Sequence, residues 1–345
     1  MKLFPSLTAL EASLLSEEDS RRRFLWLGWS LTALTVVNSL ASFGLQAAVV
    51  TQFPAQASAW WMNWLLSLVP LYAVALPCML LLLRLVPAVP HNRDYTGRDG
   101  ATRPKPPFGM GHWLILLCMA FGCLYGGGLA GNLIMTLLSA LTGHNYASGL
   151  NTMVESSPLW MTVLGACVIA PFGEELIFRK LLMDRARHAG DLPAILLSGF
   201  FFALFHGNLF QIPYAFLVGV LLAYVYTRSG SYLWCVAMHA TVNLFGSVIV
   251  PALVKLLPEG LPTTLPQLLL MLALGAWQYG LMAAAAVLIA SLWHRRKLSR
   301  GPCPLDRRRF AAEVLLNPGM IAAAAVMLIL LVSGLVLPLI PVSPA

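Results

Sequence analysis

The residues best suited to chemistry are a few polar side chains within long apolar stretches of the sequence. They fall in three short segments, Glu174-Glu175-Leu-Ile-Phe-Arg179, Phe202-Ala-Leu-Phe-His206 and His239-Ala-Thr-Val-Asn243. An ionisable group in lipid costs roughly 2.5–3.5 kcal/mol on insertion scales, so it is retained only where it has a partner or a function. These carboxylates and imidazoles are therefore candidates for a buried catalytic site.

Helical spacing gives the two carboxylates of the first segment different roles. Residues four apart lie on one face of an α-helix, whereas neighbouring residues point about 100° apart. Arg179 is therefore expected to form an ion pair with Glu175 and to fix the rotation of the helix. Glu174 points elsewhere and has no partner within the segment, so it is the candidate general base or acid.

The other two segments supply the remaining groups that a hydrolytic reaction needs. His239 and Asn243 share a helix face and can donate hydrogen bonds to a developing oxyanion. Together with Glu174 and His206, they suit hydrolysis of an amide bond by an activated water. A zinc ion held by Glu174, His206 and His239 would also serve, although there is no HExxH motif, and the sequence does not separate the two mechanisms. An acyl-enzyme formed on Ser198 is the least favoured alternative.

The composition determines which elements hold these residues. Of the 345 residues, 59% are hydrophobic and only 10% are charged, which is too few polar residues to coat a soluble globule. About 20 apolar residues make one spanning helix, so the sequence predicts an all-α polytopic membrane protein with a buried polar active site. About nine transmembrane helices are expected, at 25–50, 59–83, 112–141, 158–183, 193–206, 211–227, 231–254, 265–293 and 314–340. Residues 8–23 are expected to form a short amphipathic helix on the membrane surface.

The net charge of +8 orients the chain and does not indicate nucleic-acid binding. Basic residues follow the even-numbered spans and precede the first one, whereas the opposite loops carry Lys255 alone. By the positive-inside rule, the N-terminus is expected in the cytosol and the C-terminus outside. The basic residues that set this orientation are Lys2, Arg21–Arg23, Arg84, Arg93, Arg98, Arg103, Lys105, Arg185, Arg187, Arg228, Arg295, Arg296, Lys297, Arg300 and Arg307–Arg309. We expect an integral protein of a bacterial plasma membrane whose partners are the lipid bilayer and a peptide or membrane-protein substrate, with no oligomeric state predicted.

Distances along the helices bring the polar residues to one depth. At 1.5 Å per residue from the charged cytosolic edge of each span, Glu174, His206, His239 and Asn243 lie roughly 15–22 Å into the membrane. Three spans that deliver polar groups to one depth predict a single buried site. The third span carries a cluster of glycines, at 122, 126, 127, 128 and 131, which predicts close packing of helices.

In the three polar segments the sequence resembles the intramembrane proteases of the CAAX-processing and bacteriocin-processing family, which contains the type II CAAX prenyl endopeptidases and the Abi proteins. The family's patterns Glu-Glu-x-x-x-Arg, Phe-x-x-x-His and His-x-x-x-Asn occur in order at 174–179, 202–206 and 239–243. Each pattern alone is weak, but three in order on separate spans are specific.

The resemblance implies a role for each motif residue. Glu174 and His206 would activate the hydrolytic water, and His239 and Asn243 would stabilise the tetrahedral oxyanion. The remaining motif residues would support the site; they are Glu175, Arg179 and Phe202. The family is described both as metal-dependent and as metal-free, so zinc stays an open cofactor.

The related core is expected at 112–254. Residues 1–111 would add the surface helix, two transmembrane helices and a cytosolic loop, and 255–345 would add two further transmembrane helices. A non-catalytic membrane scaffold or immunity protein of the same fold is one alternative. A proton-coupled transporter is another, disfavoured because the sequence shows no second copy of the Glu-Glu segment. The substrate is expected to reach the site from the cytosol or the inner leaflet.

Overall fold

The predicted all-α polytopic fold is confirmed by a computed structural model, which describes residues 6–57, 59–91, 93–96, 100–146, 149–292 and 297–337 and is 79% helical. Eight helices in these ranges are long and apolar enough to cross a membrane, and a ninth apolar helix is shorter. Some residues used to predict the orientation lie outside the described residues, namely Lys2, Arg98, Arg295 and Arg296.

Each expected span corresponds to one helix. The helices are α1 (Ala9–Ser13), α2 (Glu17–Gln52), α3 (Trp60–Leu85), α4 (Met110–Thr142), α5 (Gly149–Ser156), α6 (Leu159–Ala189), α7 (Asp191–Phe205), α8 (Ile212–Ser229), α9 (Tyr232–Val254), α10 (Leu265–Leu292), α11 (307–315) and α12 (Pro318–Val336). Between α3 and α4, the antiparallel strands β1 (Asp94–Thr96) and β2 (Thr102–Pro104) form a hairpin. The short helix is α7, with 15 residues.

The predicted surface helix at 8–23 is wrong in its extent. Helix α1 ends at Ser13, and a capping box starts α2 at Glu17. The Ser16 hydroxyl accepts the Asp19 N–H at 3.1 Å, and the Asp19 carboxylate accepts the Ser16 N–H at 3.0 Å. Because these reciprocal bonds satisfy the first free N–H groups of a helix, residues 17–23 form the first turns of the spanning helix α2.

Helix α6 changes its winding on both sides of the Glu-Glu pair. Residues Val163–Ile169 and Leu176–Met183 form π-helical turns, and the α-helical stretch Ala170–Glu175 lies between them. Pro171 stands in that stretch and cannot donate a backbone hydrogen bond. Wider π turns relieve such an interruption and occur preferentially at functional sites.

The glycines of α4 bring neighbouring backbones close, as predicted, and they do so within this chain. A Cβ on Gly122 would overlap α10 at Leu281 and Ala285. A Cβ on Gly127 would overlap the backbone of Tyr214 at the start of α8, and one on Gly131 would overlap the preceding turn. Gly128, in contrast, has open space beside it. Helix α4 therefore holds the connection between α7 and α8 in place.

Candidate active site

The three polar segments converge on one cavity with a volume of about 1360 Å³. Helix α6 contributes Glu174 to its lining, and the end of α7 contributes Phe202 and His206. Helix α9 contributes His239 and Asn243. The cavity thus brings together all four predicted catalytic residues and one of the three predicted supporting residues, Phe202.

Glu175 and Arg179 lie behind this lining and contact each other. The Arg179 Nε atom is 3.0 Å from Glu175 Oε2, and neither side chain is exposed. The Nε–H bond does not point at that oxygen, so the contact is electrostatic and not an aligned hydrogen bond. The Arg179 guanidinium also lies 4.5 Å from the centre of the Phe202 ring, a favourable cation–π distance. The expected ion pair is present.

Glu175 has a second partner that the sequence did not reveal. Its Oε1 atom lies 2.9 Å from Nδ1 of His239. A carboxylate only accepts hydrogen bonds, so His239 donates through Nδ1 and turns its Nε2 atom away from Glu175. Glu175 therefore links Arg179 to His239 and fixes the orientation of the imidazole.

Glu174 is the carboxylate of the pair that lines the cavity. Its side chain is 16% exposed, and His239 Nε2 lies 3.9 Å from its Oε2 atom. That oxygen accepts no hydrogen bond from the described residues. The ring of Tyr72 covers the neighbouring Gly173, where a Cβ would overlap it. The Glu174 side chain thus lines the cavity, and its buried Oε2 atom is left without a hydrogen-bond donor among the described residues.

A hydrogen bond of the His206 ring indicates which of its nitrogens carries the proton. Nδ1 lies 2.7 Å from the carbonyl oxygen of Phe202, so Nδ1 carries the proton and Nε2 is left to accept. The Phe202 ring meets the His206 ring at 4.7 Å and the His239 ring at 5.7 Å between centroids. Phe202 thereby packs against both imidazoles and the Arg179 guanidinium.

Asn243 makes a contact that explains part of its presence. Its Nδ2 atom donates to the carbonyl oxygen of Ala166 at 2.8 Å. In the π register of this turn, the Ala170 N–H bonds to the Gly165 carbonyl five residues back. The corresponding donor for Ala166 would be residue 171, which is a proline and has no N–H. Asn243 therefore caps a carbonyl that Pro171 leaves free, and its second amide hydrogen remains available.

The turn between α7 and α8 and the first turn of α8 add polar residues to the cavity that were not predicted from the sequence. Asn208, Gln211 and Tyr214 all line it. The Gln211 amide contacts Asn208 and donates to the Tyr214 hydroxyl at 2.7 Å. The sequence feature that could have predicted these residues is the shortness of the fifth predicted span, because a helix too short to cross the membrane leaves its connecting turn at membrane depth.

The alternative chemistries receive less support from the geometry. Ser198 is buried and donates its hydroxyl hydrogen to the Phe178 carbonyl at 3.0 Å, which accounts for it without a nucleophilic role. The described residues contain no group of three or more His, Cys, Asp or Glu side chains placed to hold a metal ion. Glu174, His206 and His239 therefore share the cavity but do not form the three-donor site expected for zinc.

Comparison with known proteins matches this region to a protein family. Residues 156–245 match the family described as Type II CAAX prenyl endopeptidase Rce1-like. The UPF0177 protein YxdF of Lactococcus lactis subsp. lactis (strain IL1403) is 27% identical over 139 residues, which cover 38% of this chain and 77% of that relative. No solved structure matches the chain. The matched segment contains α6 to most of α9 and all three polar motifs, and the match confirms the resemblance that these motifs carry.

Proposed function

We propose that this protein is an intramembrane endopeptidase that hydrolyses a peptide bond of a membrane-associated or lipidated substrate. The observation that carries the proposal is the Glu174 carboxylate, which is partly exposed and has one oxygen that accepts no hydrogen bond from the described residues, in the lining of a cavity that His206, His239 and Asn243 also line. A carboxylate with a free acceptor position beside donor groups suits activation of water and stabilisation of an oxyanion. The match to an endopeptidase family supports the same reaction class.

The proposed reaction begins with a water held between Glu174 and Nε2 of His206. Glu174 takes a proton from this water while the water oxygen bonds to the carbonyl carbon of the substrate. The C–N bond of the resulting tetrahedral intermediate then breaks, and the proton on Glu174 passes to the leaving nitrogen. No step is assigned to a metal, because the described side chains do not form a three-donor set.

The oxyanion would be stabilised by N–H groups of α9. The second amide hydrogen of Asn243 is free to donate, since the first is bonded to Ala166. His239 donates through Nδ1 to Glu175, so its Nε2 donates to the oxyanion only when both ring nitrogens are protonated.

The proposal is tested by digesting a peptide library with purified protein in water enriched in oxygen-18. We expect new peptide C-termini that contain the heavy oxygen, and a loss of about 100-fold or more in rate for Glu174→Gln and His206→Ala, as is typical for removal of an acid–base group. Glu259→Gln is the matched control, because this carboxylate is exposed and does not line the cavity. Full activity in Glu174→Gln, or no labelled product from the unaltered protein, would refute the proposal.

The same assay, repeated after treatment with a metal chelator, tests whether the activity requires a metal ion. We expect the rate to survive exhaustive dialysis against a metal chelator. Loss of activity that zinc restores would replace the metal-free reaction with a metal-dependent one at the same cavity.

A further inference from the structure

One end of the helix bundle is closed by a basic cap, formed by the described residues within 86–109, 184–191 and 297–309. Lys105 Nζ lies 3.0 Å from an Asp191 carboxylate oxygen, and the Ser299 N–H donates to the same oxygen at 2.8 Å. The Val89 N–H donates to the Asp184 carbonyl at 2.6 Å. These contacts join the three segments of the cap across one end of the bundle. No described residue of the cap lines the cavity.

The cavity extends instead toward the opposite end of the bundle. Its lining includes Asn63 and Ser67 in the first turns of α3, Glu155 in α5, Ser157 after α5 and Lys255 after α9. All five belong to helix ends or connections on the side away from the basic cap. Polar residues at the far end of a cavity that begins at Glu174 indicate a passage for water from that side.

The turn after α7 independently requires water at this depth. Helix α7 has 15 residues, which span roughly 22 Å of a hydrocarbon layer about 30 Å thick. The following turn, 206–211, therefore stops roughly 8 Å short of the far surface. Irregular backbone at membrane depth is tolerated only where protein buries it or a water-filled cavity reaches it. Asn208 and Gln211 of this turn line the cavity, as a wet environment requires.

The distribution of charge identifies the two sides of the membrane. The basic cap contains 10 of the 22 Lys and Arg residues of the chain, whereas the connections at the opposite end contain Lys255 alone. The positive-inside rule places the side rich in Lys and Arg in the cytosol. The cap would then face the cytosol, and the open end of the cavity would face away from it.

We propose that the active-site cavity opens to the non-cytosolic side of the membrane and receives its substrate there. That the molecule entering the cavity is a substrate rests on the proposed function, but the direction in which the cavity opens does not. This direction is opposite to the expectation from sequence that the substrate arrives from the cytosol or the inner leaflet. The substrate class is accordingly a membrane-anchored or exported peptide whose scissile bond lies in the non-cytosolic half of the bilayer or just outside it.

Two glycines provide a matched pair of probes for this proposal. Gly128 lines the cavity, and Gly280 lies on the exposed surface of α10. A Cβ at either position would have no atom within 4 Å, so Gly128→Cys and Gly280→Cys should fold alike. Arg308→Cys marks the cap, because Arg308 is exposed in the first turn of α11.

The experiment treats spheroplasts that express each variant with a membrane-impermeant, negatively charged thiol reagent. The protein is then solubilised, and the thiols that remain free are counted by a maleimide–polymer gel shift, with the unaltered protein as the blank for its six native cysteines. We expect Gly128→Cys to be blocked in spheroplasts, Arg308→Cys to be blocked only in inside-out vesicles, and Gly280→Cys to be blocked in neither.

Two results would overturn the proposed direction of opening. Blocking of Gly128→Cys only from the side that blocks Arg308→Cys would show a cytosolic opening. Protection of Gly128→Cys from both sides would show that the cavity is not connected to water. Neither readout depends on catalysis, so an inactive protein whose Gly128→Cys thiol is blocked in spheroplasts would refute the protease and leave the direction of opening intact.

Discussion

The contact between Asn243 and Ala166 yields a prediction that separates a structural role of a motif residue from a catalytic one. In Asn243→Ala, the carbonyl of Ala166 loses its donor, because the next residue in register is Pro171 and has no N–H. In Pro171→Ala, residue 171 regains an N–H that can donate to this carbonyl. Asn243→Ala should therefore destabilise the protein more in the native background than in the Pro171→Ala background.

The size of the effect follows from the surroundings of the carbonyl. A buried acceptor left without a partner costs about 1–3 kcal/mol. Ala166 is 8% exposed and borders the cavity, so a water can replace part of the lost bond and the lower end, about 1 kcal/mol, is expected. The double-mutant cycle should show a coupling of the same size, within the range of about 0.5–3 kcal/mol seen for residues in contact.

The free energy of unfolding of the four proteins is measured by titration with sodium dodecyl sulfate in mixed micelles, with tryptophan fluorescence as the signal. Peptide hydrolysis by the same proteins is the second readout. If Asn243 also donates to the oxyanion, the double variant should regain stability but not activity. Equal losses of stability from Asn243→Ala in both backgrounds would refute the proposed cap, and recovery of both stability and activity would refute the oxyanion role.

Two further predictions concern ionisable residues away from the reacting atoms. Arg179→Met should lower the free energy of unfolding by about 3–5 kcal/mol, because it leaves the Glu175 carboxylate buried without its cation. Combining Arg179→Met with Glu175→Gln should recover most of this loss. An unchanged unfolding curve for Arg179→Met would contradict the reasoning. Burial, and then the neighbouring Arg187, lower the pKa of His91 from 6.5 to about 3. As the pH falls from 6.5 toward 3, His91 therefore binds a proton in the unfolded chain but not in the folded protein. Stability should therefore fall by up to about 2 kcal/mol between pH 7 and pH 5 and should fall less in His91→Asn; identical pH profiles of the two proteins would count against this assignment.

The parts of the site that depend on one helix could be predicted from the sequence. The Glu175–Arg179 pair follows from a spacing of four residues, which holds in the folded protein because both side chains remain on one face. Glu174, His206 and His239 line one cavity, which agrees with the similar depths counted along their separate helices, because lipid fixes where each helix meets its charged edge. In both cases the constraint acts along the chain, and the sequence contains it in full.

The parts that depend on two helices could not be predicted. The contact of His239 with Glu175 requires the rotation of α9 against α6, which no spacing within either helix specifies. The capping of Ala166 by Asn243 requires the π register of α6, which the proline alone does not dictate. The surface helix at 8–23 was wrong for another reason, since Ser16 and Asp19 form a local capping box that interrupts an otherwise amphipathic pattern.

The glycines of α4 connect the packing of the bundle to the position of His206. Gly127 and Gly131 are four residues apart and share one face, and both let α4 touch the turn after α7 and the start of α8. Gly128 points about 100° away from Gly127 and leaves space beside the cavity. One face of α4 therefore holds the polar turn at a fixed depth, and the next face keeps room for water in front of it. The glycine cluster thus allows both close packing that supports His206 and an open cavity beside it, whereas larger side chains would prevent one or the other.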